Sequence, residues 1–254
     1  MAAIETAFKV IETIIDHQAD GLTFSQVASN VNLPKSSCHR ILNLLVQAGY
    51  LFYNPKNKLY FSTLKVSALG AKVVQATDQH RLIRPIMEAM GNESGVACQA
   101  GIINGFTGVS VDQVLAPKLK VNFFCSPGQE FPLHCTGLGK ALLAHSPEKL
   151  VNAVIAAGLP KYTDTTITDE KTFRRELQEV RNSGYARDRQ ELSLGVLCVA
   201  APIFNYREEV FMAISLNYTP YVEGADPEFF DRMKSIVLRY ARFASNAMGY
   251  KSKN

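Results

Sequence analysis

TFSQVASNVNLPKSSCHRILNLLVQAGYLFYNPKNKLYF, residues 23–61, is the stretch that decides the fold. Thr23 with Gln26 three residues later forms a capping box, and it opens a short helix with Val27 and Ala28 inside. Asn30–Leu33 reads as a turn, and Pro34 suits the first turn of a second helix running to about Ala48. Cys38, Ile41, Leu42 and Leu45 form its buried face, and Gly49 ends it. Leu51/Tyr53 and Leu59/Phe61 then alternate on either side of Asn54-Pro55-Lys56-Asn57-Lys58, a hairpin turn with a basic tip. Working outward, residues 4–15 place Ile4, Ala7, Phe8, Ile11, Ile14 and Ile15 on one helical face, and Gly21 breaks that pattern. Helix, helix, turn, helix, hairpin is a winged helix-turn-helix, assigned to residues 1–63.

Charge supports a polyanion-facing surface in the same region. No Asp or Glu occurs from Gly21 to Thr77, whereas Lys35, Arg40, Lys56, Lys58, Lys65 and Lys72 do. Residues 1–77 hold 7 basic and 4 acidic residues, and the remainder is nearly balanced at 20 and 19. On the proposed third helix Ser36, Arg40, Asn43 and Gln47 share the face opposite the apolar one, flanked by Lys35, Ser37 and His39. Arg reads guanine, Asn and Gln read adenine, and Ser and Lys hold phosphate. The Lys56/Lys58 tip would grip the adjacent backbone or minor groove. The plainer explanation is a solvated polar face, but it leaves the missing acids and the basic hairpin unexplained.

The rest of the chain reads as a second domain. A helical stretch over about 64–77, with Val66, Leu69 and Val73 apolar, is expected to link it to the first, and residues 78–254 form the domain itself. Helices are expected around Leu82–Met90, 137–145, 147–157, 169–183 (opened by Thr168) and from Asp226-Pro227 to about Gly249. Strands are expected at 95–103, 107–115, 121–124, 196–203 and 210–218, a mixed α/β pattern without a phosphate loop. With 47% hydrophobic and 20% charged residues the chain is not wholly disordered. Its longest apolar run, about Val196 to Phe204, is too short to span a bilayer, and the N-terminus lacks a signal peptide's basic and apolar regions. A cytoplasmic location with no membrane partner is therefore expected. Cys38, Cys98, Cys125, Cys135 and Cys198 are odd in number and widely spaced, which argues against a disulfide framework.

Three passages carry a resemblance. Pro34-Lys35-Ser36-Ser37-Cys38-His39-Arg40-Ile41-Leu42, followed by Gly49-Tyr50-Leu51, resembles the recognition helix of IclR-type (isocitrate lyase regulator) transcriptional regulators. Gly184 to Glu191, six residues, then Cys198-Val199-Ala200-Ala201-Pro202-Ile203-Phe204-Asn205 resembles the signature G-x3-D-x2-E-x6-C-[aliphatic]-A-x2-[aliphatic]-F-N. Leu133 to Ala141 resembles a third block. The resemblance implies an α+β protein: an N-terminal winged helix-turn-helix, a linker helix and a C-terminal GAF-like domain. It also implies a homodimer, or a dimer of dimers, that binds double-stranded operator DNA as repressor or activator. No cofactor is implied. A small-molecule effector, an organic acid or similarly polar metabolite, would be held by Gly137, Leu138, Asp188, Cys198, Ser215 and Asn217. Where many acid-binding members have two serines, this chain has Ser215 and Asn217, two apart on one strand and hence on one face.

Each of these residues also has an ordinary explanation. Cys198 suits a core position, Asp188 and Glu191 suit a surface loop paired with Arg187 and Arg189, and Gly137 and Gly139 suit a tight loop. Glu191 is a candidate for orienting the loop. An enzyme would need Cys98, Cys125, Cys135 or Cys198 paired with His134 as base, and no catalytic or dinucleotide motif accompanies them. A metal sensor using His134, Cys135 and Cys198 lacks close ligand spacing. An architectural DNA binder leaves the larger domain without a role.

Overall fold

In a computed structural model of the chain, residues 3–69, 78–115 and 126–250 are described. The chain forms two compact units, Met1–Gln75 and Ala76–Asn254. The first contains α1 (Ala3–Asp16), β1 (Leu22–Thr23), α2 (Phe24–Asn30), α3 (Lys35–Gln47), β2 (Leu51–Asn54) and β3 (Leu59–Ser62).

The capping box at α2 is complete. The Thr23 hydroxyl accepts from the Gln26 backbone N–H at 3.4 Å, and the Gln26 side chain accepts from the Thr23 N–H at 2.8 Å. Gly49, at φ +76°, ends α3 in a Schellman arrangement: the Tyr50 N–H donates to the Leu45 carbonyl and the Gly49 N–H to that of Val46. Val10, Ile14, Val27, Cys38, Ile41, Leu42, Leu51 and Tyr60 fill the core. Two sequence expectations need correction here. The α1 stripe faces the core through Val10 and Ile14, whereas Ile4 and Phe8 stand 73% and 60% exposed. From β3 it is Tyr60, rather than Leu59 or Phe61, that enters the core. The wing is also a three-stranded sheet, in the order β1-β3-β2, because Leu22 pairs with Tyr60 and Thr23 with Leu59. Two residues of β1 were too few for a periodic signal.

Residues 64–69 are helical. The remainder of the expected linker helix, 70–77, the strand expected at 121–124 and Cys125 lie outside the described residues.

The second unit contains α4 (Asp78–Ser94), β4 (Ala97–Asn104), β5 (Thr107–Val114), β6 (Glu130–Phe131), α5 (Gly137–Leu143), α6 (Glu148–Ala157), α7 (Glu170–Ser183), β7 (Ala186–Arg189), β8 (Leu197–Phe204), β9 (Val210–Tyr218), α8 (Pro220–Gly224) and α9 (Phe229–Ala247). Its sheet is antiparallel in every described pairing, in the order β6-β5-β4-β9-β8-β7. Side chains alternate between its faces. Cys98, Ala100, Val199, Ala201, Ile214 and Leu216 pack against α4 and α9. Ala186, Cys198, Ala200 and Ala213 pack against α5, α6 and α7. Both faces are therefore covered, which is why β8 reads as one apolar run. Pro202 pairs with Ala213 of β9 on one side, and it is tolerated because the β7–β8 pairing ends at Ala200, so no described strand lies beside it on the other.

Three further expectations are corrected. Asp169, not Thr168, caps α7, accepting from the Thr172 N–H at 2.8 Å. Asp226 instead holds the turn before α9, accepting from the Glu228 N–H at 3.0 Å, and α9 starts at Phe229 without a side-chain cap. Asp188 lies on a short strand rather than in a surface loop.

Candidate functional site

The register of the second unit's sheet lays the expected effector residues out in two rows on the face toward α5. One row is Asp188–Cys198–Asn217–Ala97, across β7, β8, β9 and β4. The next is Ala186–Ala200–Ser215–Gln99–Gln113, which continues onto β5. Asp188, Cys198, Ser215 and Asn217 are thus neighbours although they span thirty residues of chain. All four are buried, and Asn217 donates to the Ser215 hydroxyl at 3.3 Å.

Gly137 and Leu138 open α5 directly above this strip. A methyl group on Gly137 would lie 2.5 Å from the Cys198 sulfur, and one on Gly139 would lie 2.4 Å from the Leu133 carbonyl oxygen. Gly137 thus sets how closely the helix lies on the sheet, whereas Gly139 lets the preceding loop fold tightly against the helix. Thr136 caps the helix, accepting from the Gly139 N–H at 3.0 Å. With seven residues α5 has a short dipole, so its first amide groups matter more than a macrodipole.

A buried charge cluster stands beside the strip. Lys140 is 0% exposed, and its ammonium donates to Glu191 at 2.6 Å and to Glu176 at 2.8 Å. Glu191 is 2% exposed and Asp188 4%, so the expected surface pairing with Arg187 and Arg189 does not form around them. Arg187 instead pairs with Glu223 and covers the Phe230 ring at 3.8 Å. The Glu191 N–H donates to Asp188 Oδ1 at 2.7 Å, so the loop that Lys140 holds also orients Asp188. Thr163, Thr165 and Thr166 clamp the same loop, donating to the carbonyls of Gln190, Arg189 and Glu191 at 2.7, 3.0 and 2.6 Å. Burial, with the nearby Glu191 charge, pushes the Asp188 carboxyl up to about 7, against the Glu191 N–H bond.

The described cysteines of this unit show the opposite of activation. Burial pushes the Cys98 and Cys135 thiols up to about 12, and Cys198 is raised by the same cause. His134 spends its Nε2 on the Pro160 carbonyl at 3.0 Å. Among the described residues, no group of three or more His, Cys, Asp or Glu could hold a metal ion, and no helix is long and apolar enough to cross a membrane.

In the first unit Lys35, Ser36, His39, Arg40, Asn43 and Gln47 are exposed on α3, with Ser37 half-buried. Asn43 and His39 are hydrogen-bonded at 3.2 Å. The helix starts at Pro34 without a side-chain cap and without an acid in its first turn, which leaves its opening N–H groups for an anion. At the wing tip Asn54 accepts from the Lys56 N–H at 3.0 Å, and Lys58 adopts φ +60°.

Gln99 was not anticipated from the sequence. It is 6% exposed in a strand of apolar neighbours, in register with Ser215, and its buried side-chain nitrogen has no hydrogen-bond partner among the described residues. Its one sequence signal was a polar residue interrupting an apolar run.

Comparison with known proteins gives two family-model matches: "Bacterial transcriptional regulator IclR C-terminal" over residues 71–245 and "IclR helix-turn-helix domain" over residues 3–55. The chain is 28% identical over 251 residues to the HTH-type transcriptional regulator XynR of Escherichia coli strain K12, covering 98% of this chain and 97% of that one. The crystal structure of a transcriptional regulator from Alicyclobacillus acidocaldarius superposes with a TM-score of 0.84 at 25% identity, covering 98% and 99% of the two chains. The structure of an IclR homolog from Microbacterium hydrocarbonoxydans, complexed with 4-hydroxybenzoate, superposes with a TM-score of 0.78 at 19% identity, covering 97% and 100%.

Proposed function

Since the chain belongs to the IclR family of bacterial DNA-binding transcriptional regulators, we propose that a small organic acid or similarly polar metabolite, bound in the second unit, sets its operator affinity. The observation that carries this reading is the buried polar strip: Asp188, Cys198, Ser215 and Asn217 lie side by side beneath the opening of α5. A purely structural domain has little reason to gather a carboxyl, a thiol, a hydroxyl and an amide on one apolar sheet face, because each costs free energy when buried without partners. Gly137 and Leu138 contribute backbone N–H groups, Ser215 and Asn217 fix orientation, and Asp188 in its neutral form donates to a ligand oxygen. One homolog of the same fold holds an aromatic acid, 4-hydroxybenzoate, which is in keeping with this ligand class.

In the first unit, Arg40 and Asn43 read bases, Lys35, Ser36, Ser37 and His39 contact the backbone or flanking bases, and Lys56 and Lys58 hold the adjacent phosphates. The exposed Ile4–Phe8 side of α1 serves assembly as a dimer or dimer of dimers. Binding must differ between DNA-competent and released arrangements if it is to regulate. The test is operator binding measured against added organic acids. Ser215→Ala with Asn217→Ala should abolish the acid-induced change and leave acid-free DNA binding intact. A double variant that responds at wild-type acid concentrations would place the ligand elsewhere. A wild-type protein indifferent to every acid would favour an architectural role.

A further inference from the structure

We propose that Gln99 is a specificity-determining contact of this site, donating from its side-chain amide to a second oxygen of the effector. The effector is therefore an acid carrying an additional carbonyl, hydroxyl or carboxylate. The inference rests on the effector reading above and refines the ligand class within it.

Three observations support it. First, Gln99 is one strand from Ser215 in the same register row, so the two side chains leave the sheet on the same face. Adjacent strands place their paired residues about 5 Å apart, within reach of one small molecule. Second, Gln99 is more than nine-tenths buried, and its amide nitrogen lacks a hydrogen-bond partner among the described residues. Buried polar groups without partners are rare and costly, so a site that retains one commonly meets its partner in a ligand. Third, the neighbouring positions are closed. Gly137 presses on Cys198 and Ala200 toward β8. The Phe131 ring and Leu138 stand over Gly101, the next residue of β4 on this face, where an added methyl would lie 2.8 Å and 3.3 Å from them. What remains for a ligand is the sheet surface over Ser215, Asn217 and Gln99. Ser215 accepts from Asn217 and its hydroxyl also hydrogen-bonds the Cys198 sulfur, a weak acceptor that a ligand oxygen would displace. The site thus offers hydroxyl and amide donors on adjacent strands, which matches two oxygen acceptors on one molecule.

A site built to hydrogen-bond a ligand oxygen rejects the analogue lacking it, because its own buried donor is then left without a partner. Binding of matched acid pairs to the full-length protein, by calorimetry, tests this: pyruvate against propionate, and 4-hydroxybenzoate against benzoate. Wild type should bind the oxygenated member of at least one pair about tenfold or more tightly than its partner. Gln99→Met, similar in size and without hydrogen-bonding capacity, should bring the two within about threefold. Its ligand-free melting temperature should stay level or rise, because an orphaned buried amide is removed. Gln99→Glu, which replaces the donor with an acceptor, should weaken both acids and serves if the Met variant does not fold. Wild-type discrimination retained in both variants, or a clear fall in ligand-free melting temperature of Gln99→Met, overturns the proposal. Equal wild-type binding of both members of each pair overturns this inference alone. No binding of any probe overturns the effector reading and this inference with it.

Discussion

Replacing Lys140 with Met removes the one cation that holds two carboxylates of the α5–α7–β7 cluster. Lys140 itself is inaccessible, and Glu191 is nearly so at 2.6 Å, whereas Glu176 is 14% exposed and partly solvated. Most of the cost therefore falls on Glu191, whose second carboxylate oxygen is buried without a hydrogen-bond partner among the described residues. Removing one partner of a buried ion pair typically costs about 3–5 kcal/mol, since the remaining charge stays desolvated. For a unit of this size about 1 kcal/mol moves Tm by roughly 2–4 °C, so a fall near 10 °C is expected at pH 7.5. Lys140→Met with Glu191→Gln should recover more than half of the loss, since neither partner is then charged. Urea titration followed by circular dichroism and calorimetry of the full chain measures both variants. A loss below about 1 kcal/mol at pH 7.5, or no recovery in the double variant, would refute the assignment of this pair as a buried charge cluster.

Asp188→Asn tests the neighbouring carboxyl. Its folded pKa of about 7 lies above the ordinary 3.8, so the cost of ionising it is fully present above pH 7 and fades as the pH falls from 7 toward 3.8. The substitution should therefore stabilise by up to about 4 kcal/mol at pH 8 and by less than about 1 kcal/mol near pH 4, as read from urea midpoints. Gly137→Ala would drive a methyl onto the Cys198 sulfur and is expected to cost about 1–3 kcal/mol despite alanine's better helix propensity; adding Cys198→Ala should restore most of it. Arg40→Ala should cost about 1–3 kcal/mol of cognate operator affinity in gel-shift titrations. Lys56→Ala should weaken all DNA alike and shallow the salt dependence by about one contact.

Where the local physics allowed a single solution, the sequence was sufficient. Thr23 and Gln26 are three residues apart, and a capping box needs nothing further away. Gly49 supplies the left-handed residue that closes α3, whatever packs around it. The acid-free block from Gly21 to Thr77 identifies the basic surface by composition alone. The reading failed where two local solutions competed. Thr168 and Asp169 are both acceptable caps, and Asp226 could hold either the helix or the turn before it. The α1 stripe offered more apolar residues than the small core could take, so its buried edge was undecidable from periodicity.

The residues of the site were legible, but their environment was not. Asp188 and Glu191 stand beside two arginines in sequence, and near neighbours are the natural first choice of partner. The sheet instead turns Arg187 to the opposite face from Asp188, because side chains on a strand alternate, and brings Lys140 from 51 residues away to Glu191. Gln99 gains its meaning only from the register that sets it beside Ser215, a pairing across more than a hundred residues. By itself the sequence determined the elements, their order and the chemical types available, since these follow from short-range sterics, hydrogen bonding and hydrophobic period. Tertiary structure alone decided which polar groups are buried together, because burial and strand register depend on contacts between residues far apart in the chain.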